Sequence, residues 1–168
     1  LPERCLIKIN MNKLNINYTI GVDIGGTKMS AVLFDGEKVA ADYVLATPKD
    51  DLEHFMIMLK ALIEPLLDKA KAGGGMVKAM GVGVAGMLDL KENKIVVAPN
   101  LPLLNGLKLP ENLSSKLGIE QIKIDNDAHC FLRAEMKFGA GKNRKNVFGI
   151  TVGTGIGGAW WQNGEIYQ

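Results

Sequence analysis

Three short glycine-rich loops constrain the fold of this chain more than any other sequence feature. They contain GVDIGGTK at residues 21–28, GVGVAG at 81–86 and GTGIGG at 153–158. The first resembles a P-loop with a threonine inserted before its lysine, and the other two match the GxGxxG pattern of Rossmann folds. Both motifs require a helix directly after the glycines, whereas a turn or a strand-like segment follows each loop here. The sequence therefore argues against both motifs and predicts glycine turns between strands.

The first part of the chain predicts three strands and one long helix. Tight turns separate three strand-like segments, at 18–23, 29–34 and 38–45, which together predict an antiparallel meander. Pro65 lies inside the helical pattern that follows, so we expect a kink or a break there, and the glycines at 73–75 end the helix. Apolar residues recur in this helix at three- and four-residue spacing, namely Leu52, Phe55, Met56, Leu59, Leu62, Ile63, Leu66 and Leu67.

The remaining residues alternate strands with helices. Strand-like segments lie at 77–86, 94–99, 122–124, 147–152 and 159–161, and helical ones at 109–117 and 128–138. Three strands followed by helix, strand, helix and strand indicate an α/β fold.

Composition excludes several classes of protein. Twenty Lys and Arg against 18 Asp and Glu give a net charge of +2, far below the excess expected of a nucleic-acid binder. Cys5 and Cys130 are too few for a disulfide framework or a zinc site, which indicates a reducing compartment. No apolar run approaches the roughly 18 residues of a membrane span. We therefore expect a cytoplasmic protein with neither a nucleic-acid nor a membrane partner.

The first and third loops have the composition of an anion site. Backbone N–H groups of a side-chain-poor turn can converge on an anion, and the hydroxyls of Thr27 and Thr154 would add donors. Two such loops facing each other could hold a triphosphate, and Asp23 could hold Mg²⁺ through water. Either loop alone fits equally well as a tight turn in which glycine supplies positive φ.

A second candidate is the triplet Asp125-Asn126-Asp127, which falls between a short strand and a helix. A carboxylate at a helix N-terminus stays ionised and can accept a proton. Asp and Asn are also favoured helix caps, so the residues alone leave catalysis and capping both open.

Six short segments of the chain form an ordered set: DIGGTK at 23–28, GVGVAG at 81–86, APNL at 98–101, NDA at 126–128, AE and FGAG at 134–141, and GTGIGG at 153–158. In this order they resemble the ROK family, the bacterial glucokinase-like sugar kinases and related repressors of the actin-like, ribonuclease-H-like ATPase superfamily. The resemblance covers about residue 18 to the end.

This resemblance implies a domain organisation and a reaction. Residues 18–124 would form a ribonuclease-H-like N-terminal lobe, 125–168 a linking helix and the opening hairpin of a truncated second lobe, and 1–17 an extension. The reaction would be phosphoryl transfer from ATP, with Mg²⁺, to a sugar hydroxyl, and the full-length protein would be a homodimer.

The resemblance also implies roles for individual residues. Asp127 would be the general base, with Asp125 or Asn126 as the cap, and Asp23 would hold Mg²⁺ through water. His129 stands where the family commonly has Asn, and we expect it to be a partly exposed helix residue. Nucleotide would contact Asp23, Gly25, Gly26, Thr27, Lys28, Gly153, Thr154, Gly155 and Gly157, and sugar would contact Asn100, Asn126 and Gly86.

Family members continue with an E-x-G-H segment and often a zinc motif, neither of which occurs here. The resemblance therefore implies a kinase fragment that alone is poorly soluble, because it leaves an open sheet edge, and has little activity. Two alternatives stay open. One is a sugar-responsive regulator of the same family, which would need a DNA-binding domain before the first strand. The other is a non-catalytic actin-like nucleotide-binding module. The sequence does not specify the sugar.

Overall fold

The computed structural model describes residues 17–153 and 155–167. The elements in these ranges are β1 (Asn17–Ile24), β2 (Lys28–Phe34), β3 (Val39–Ala46), α1 (Leu52–Ala72), β4 (Met76–Val84), β5 (Met87–Asp89), β6 (Lys94–Val97), a 3₁₀ turn (Pro102–Leu104), α2 (Leu109–Leu117), β7 (Gln121–Asn126), α3 (Asp127–Phe138), β8 (Asn146–Val152), β9 (Ile156–Gln162) and β10 (Glu165–Ile166).

The central sheet has five strands in the order β3-β2-β1-β4-β7. The predicted meander is confirmed, since β1 pairs antiparallel with β2, and β2 with β3. Strands β4 and β7 run parallel to β1, so the carboxyl ends of these three strands lie at one edge. The register places Asp23, Gly83 and Asp125 side by side across that edge. Candidate residues far apart in the chain are thereby brought together.

Helix α1 covers one face of this sheet. Its N-cap is Asp51, whose carboxylate accepts a hydrogen bond from the His54 N–H at 2.8 Å, and it ends at Gly73 as predicted. Of the kink or break expected at Pro65, the break does not occur, because the helix is continuous from Leu52 to Ala72. Proline removes one backbone donor, but the apolar face packs into the core on both sides of it and holds the helix together. That buried face comprises Phe55, Met56, Leu59, Leu62, Ile63, Leu66 and Ala70.

Helix α3 leads from the central sheet to a smaller three-stranded sheet of order β10-β9-β8. Ala128 and Leu132 of α3 pack with Ala159 and Ile166 in a separate small apolar cluster. The predicted turn at Asn163-Gly164 is confirmed, since both residues have positive φ, at 51° and 105°. The other face of the β8–β9 hairpin exposes apolar side chains, namely Phe148, Ile150, Val152, Ile156 and Trp160.

The strand bounds differ slightly from the boundaries expected from sequence. Strand β1 begins at Asn17, and β7 continues past residue 124 to Asn126, because its parallel pairing with β4 extends to Val84. In the described part of the chain, no helix combines the length and apolar character needed to cross a membrane.

Candidate active site

The β1–β2 loop is held in place by Thr47, which follows β3. The Thr47 hydroxyl donates to the Gly25 carbonyl at 2.7 Å, and its N–H donates to the Thr27 carbonyl at 3.0 Å. Thr47 is buried, with 8% of its surface exposed. The Gly25 C=O and the Gly26 N–H belong to one peptide group, and in a trans peptide these two bonds point in opposite directions. Because the C=O points to Thr47, the Gly26 N–H is directed away from Thr47.

We expect Thr47→Val to destabilise the protein by about 1–3 kcal/mol, because the Gly25 carbonyl loses its hydroxyl partner in a half-buried position. Urea denaturation measures this change. Thr47→Ser is the matched control, since it keeps the hydroxyl, and it should stay much closer to wild type. A Thr47→Val variant as stable as wild type would show that this hydrogen bond does not stabilise the loop.

Two glycines allow close backbone approach beside this loop. A Cβ on Gly26 would lie 2.8 Å from the Asn100 Cβ, so Asn100 packs directly on the first loop. Gly86 has a φ of +152°, and a Cβ there would overlap the Val97 carbonyl oxygen. The Ala98 N–H donates to Asn105 Oδ1 at 2.8 Å, which fixes the turn that carries Asn100.

Asn126 is the N-cap of α3, which decides between the two cap candidates. Its Oδ1 accepts from the N–H groups of Ala128 and His129 at 2.9 and 3.4 Å. Its Nδ2 donates to the Gly86 carbonyl at 3.0 Å. An amide nitrogen has two protons, and the second N–H of Asn126 has no partner among the described residues, so it can donate to a ligand. Asp127 is the first residue of the helix, at the positive end of the helix dipole.

Asp125 is engaged within the protein through both of its oxygens. It accepts from the Asn126 N–H at 2.8 Å, from His129 Nδ1 at 2.9 Å and from Arg133 Nε at 3.2 Å. These three donors occupy both Asp125 oxygens and leave them less accessible to a ligand. Asp127 is therefore the better candidate base of the triplet.

The first and third glycine loops (21–28 and 153–158) and the start of α3 line one cavity of about 550 Å³, here called the central cleft. Asp23 lies beside it in a cavity of about 630 Å³, which Asp127 also lines. Thr27 and Lys28 are exposed and do not line the cleft, and Thr154 lies outside the described residues. The remaining candidates all line the central cleft, namely Gly25, Gly26, Gly86, Asn100, Asn126, Asp127, Gly153, Gly155 and Gly157.

The charges of Asp23 and Asp127 interact. Desolvation by the cavity walls raises the pKa of the Asp23 carboxyl, and the negative charge of Asp127 raises it further, while Lys28 opposes both. Gly83 forms the floor here, since a Cβ on it would lie 3.7 Å from Asp23 Oδ1 and 3.7 Å from the Asp127 Cα. A cation bound between Asp23 and Asp127 would reduce the repulsion between their carboxylates.

Within the described ranges, no group of three or more His, Cys, Asp or Glu side chains could hold a metal ion. Mg²⁺ does not need three or more protein ligands, because it binds through one or two carboxylates, waters and substrate phosphates. The Asp23 position fits this mode of binding.

Sequence reasoning missed two residues at this site. Thr151 lines both the central cleft and the Asp23 cavity, and its Oγ1 lies 2.5 Å from where a Gly157 Cβ would be. Its sequence signal is a polar residue two positions before the third loop (153–158), on the inward side of β8. Thr47 has no such signal, since its role depends on a contact 22 residues away in the chain.

Cys130 lines the Asp23 cavity as an unreactive thiol. Burial, and then the negative charge of Asp125, raise the pKa of the Cys130 thiol to about 11. We expect alkylation at neutral pH about 100-fold slower than for an ordinary thiol, because the thiolate fraction falls tenfold per pKa unit. Iodoacetamide labelling in a Cys5→Ser background measures it, with the urea-unfolded protein as control. Equal rates in the folded and unfolded protein would contradict the assigned environment.

The sheet order and the two loops beside a helix N-terminus define the ribonuclease-H-like lobe of an actin-like ATPase. The family model described as "ROK family" matches residues 19–168, and the chain belongs to this family. This confirms the fold and family that the sequence predicted.

Named relatives of the chain are sugar kinases. It is 34% identical over 150 residues to N-acetyl-D-glucosamine kinase of Photobacterium profundum, covering 88% of this chain and 47% of that protein. It is 35% identical over 143 residues to glucokinase of Streptomyces coelicolor, covering 85% and 43%.

A solved structure gives a similar result. The ROK family glucokinase of Streptomyces griseus, in complex with glucose and AMPPNP, superposes with a TM-score of 0.80 at 32% identity, covering 90% of this chain and 46% of that one. The chain thus spans about half the length of the relatives that it matches.

Proposed function

We propose that the protein is an ATP-dependent sugar kinase, to which this chain contributes both phosphate-binding loops and the proton-accepting residue. The observation that carries the proposal is the central cleft, where both glycine loops and Asp127 meet. The names of the relatives, an N-acetyl-D-glucosamine kinase and glucokinases, support this class of reaction. We place the lobe boundary near residues 124–125, as the resemblance implies.

In the proposed reaction, a sugar hydroxyl oxygen attacks the γ-phosphorus of ATP. The bond from that phosphorus to the β,γ-bridging oxygen breaks, ADP leaves, and the hydroxyl proton passes to the Asp127 carboxylate. A hydroxyl is a weak nucleophile, so the carboxylate must orient it and accept its proton as the new bond forms. Asp127 suits this role because, unlike Asp125, it remains available at the helix start.

The two loops would hold the phosphates through backbone N–H groups. Glycines at 25, 26, 153, 155 and 157 let the backbone approach phosphate oxygens closely. In this proposal Thr27, Thr154 and Lys28 supply further donors, and Asp23 holds Mg²⁺ through water. Bound Mg²⁺ would neutralise charge on the β- and γ-phosphates.

The sugar would lie against Gly86, Asn100 and Asn126. Gly86 and Asn126 are tied to each other, so they would act as one rigid wall, with the free N–H of Asn126 as its donor. Because relatives of similar identity are named for glucose and for N-acetyl-D-glucosamine, both sugars are candidates.

We expect Asp23→Asn to stabilise the ligand-free protein while weakening binding of Mg²⁺-nucleotide by about 10-fold or more. The pKa of Asp23 is raised in the folded protein, so its ionised form is disfavoured there. Ligand-free stability should therefore fall as pH rises from 3.8 through the raised pKa, and the variant should lack this component.

Thermal unfolding with and without ADP and Mg²⁺, across pH 4–8, measures both effects of Asp23→Asn. Lys49→Gln, an exposed change outside the cleft lining, serves as control and should leave nucleotide binding unchanged. Unaltered Mg²⁺-dependent stabilisation in Asp23→Asn would remove Asp23 from the metal role.

The test of the proposed function is formation of sugar phosphate by the full-length protein. Glucose, N-acetylglucosamine, N-acetylmannosamine and fructose are each incubated with ATP and Mg²⁺, and ADP and sugar phosphate are quantified. We expect equimolar production of both with at least one sugar. Absence of sugar phosphate with all of them, in a folded protein that binds ATP, would favour the non-catalytic module.

A further inference from the structure

A third cavity, of about 680 Å³, adjoins the central cleft and is here called the side cavity. The two cavities share Gly86, Asn126 and Gly158 as lining residues, so these residues form their common wall. The side cavity is also lined by Asp125 and His129. The two cavities are therefore adjacent at Asn126, with Asp127 lining one of them and His129 the other.

His129 is held in one orientation at this cavity. Its Nδ1 lies 2.9 Å from Asp125 Oδ1, and the two side chains are 23% and 19% exposed. An ionised carboxylate can only accept, so the proton of this bond lies on Nδ1. In the neutral ring the other nitrogen, Nε2, is then an acceptor. Arg133 Nε holds the second oxygen of Asp125, which fixes the pair from its other side.

Asp127 and His129 face different cavities because they are two residues apart on α3. Two residues correspond to about 200° of rotation around a helix, so the two side chains leave the axis in nearly opposite directions. Accordingly, Asp127 lines the central cleft and the Asp23 cavity, whereas His129 lines the side cavity. Asn126 lies between them and lines both the cleft and the side cavity.

We infer that His129 is a specificity-determining residue, whose Nε2 accepts a hydrogen bond from a hydroxyl or amide N–H of the acceptor sugar. This inference rests on the proposed sugar kinase function and adds a recognition contact remote from the phosphorylated hydroxyl. A site built to receive a hydrogen-bond donor discriminates against sugars that lack it, because its own acceptor then stays unpaired.

The chain contains a matched control for this contact. His54 Nδ1 lies 2.7 Å from Asp50 Oδ2, with the same four-residue spacing, next to the cap of α1. Both of these side chains are about half exposed, at 48% and 60%, and neither lines the central cleft or the side cavity. His54→Ala thus removes an equivalent ion pair away from the proposed contact.

Two substitutions of His129 separate contact with sugar from positioning of Asp125. An Asn side chain places its amide near Nδ1 and can keep the bond to Asp125, but offers nothing at Nε2. A Gln side chain reaches the position of Nε2. We expect His129→Ala and His129→Asn to raise KM for the preferred sugar about 3- to 10-fold, with kcat and the KM for ATP unchanged. His129→Gln should retain most of the wild-type KM.

The experiment measures kcat and KM of the full-length protein for glucose and N-acetylglucosamine, with sugar binding by calorimetry as a second readout. A loss confined to N-acetylglucosamine identifies the amide N–H as the donor, and an equal loss for both sugars identifies a hydroxyl. His54→Ala should match wild type throughout.

Three results would overturn the inference. If His129→Asn matches wild type while His129→Gln loses kcat, the histidine acts only by positioning Asp125. If all His129 variants match wild type in KM, it has no role in recognition. If the wild type phosphorylates no sugar, the proposed function fails and the inference with it.

Discussion

Asp127→Asn should lower kcat for ATP-dependent sugar phosphorylation by about 100- to 10,000-fold, the range for removal of a general base. The amide has nearly the same size as the carboxylate but cannot take the hydroxyl proton. The helix start should persist, because its cap is supplied by Asn126 and not by Asp127. Removing one of two repelling carboxylates should also leave nucleotide binding intact or tighten it.

The measurement is a steady-state assay of sugar phosphate together with calorimetric ADP binding, both on the full-length protein. Asp125→Asn is the comparison variant, since it loosens His129 and Arg133 but keeps the proposed base. We expect it to lose much less activity. Turnover above about one tenth of wild type in Asp127→Asn would exclude Asp127 as the base.

Gly86→Ala should destabilise the protein by about 2–4 kcal/mol, the largest stability effect that we expect. An L-residue at a φ of +152° is strained, and its Cβ would overlap the Val97 carbonyl. Relief would require the backbone at residue 86 to move. The Gly86 carbonyl accepts from Asn126, so the movement would also disturb the cap of α3 and the position of Asp127.

Gly81→Ala is the matched control from the same GVGVAG segment, at a position within β4. It has no atom within 4 Å of the added Cβ, so its stability should stay within about 1 kcal/mol of wild type. Urea denaturation followed by circular dichroism compares the two variants. A loss for Gly86→Ala no larger than for Gly81→Ala would contradict the close approach of Gly86 to Val97.

The sequence predicted those parts of the fold that depend on local pattern. Alternating residues and tight turns located the meander, and the apolar spacing located α1. The absence of a helical pattern after each glycine loop correctly excluded the P-loop and the Rossmann fold. The local sequence also predicted that the triplet Asp125-Asn126-Asp127 precedes a helix. It did not distinguish Asn126 from Asp125 as the cap, which follows from the hydrogen bonds that Asn126 accepts in the structure.

The remaining features depend on tertiary contacts. Thr47 anchors the first loop across 22 residues, and the tie between Asn126 and Gly86 spans 40 residues. The helix continues through Pro65 because packing of its buried face outweighs the missing hydrogen bond. The repulsion between Asp23 and Asp127 follows from strand register across β1, β4 and β7, which no single segment encodes.

A crystal structure of the full-length protein with AMPPNP and its accepted sugar tests the central claim most directly. We expect the γ-phosphate between the loop at Gly25-Gly26 and the loop at 153–157, and one sugar hydroxyl about 2.6–3.2 Å from the Asp127 carboxylate. Phosphates bound away from either loop, or a sugar with no hydroxyl near Asp127, would contradict the account.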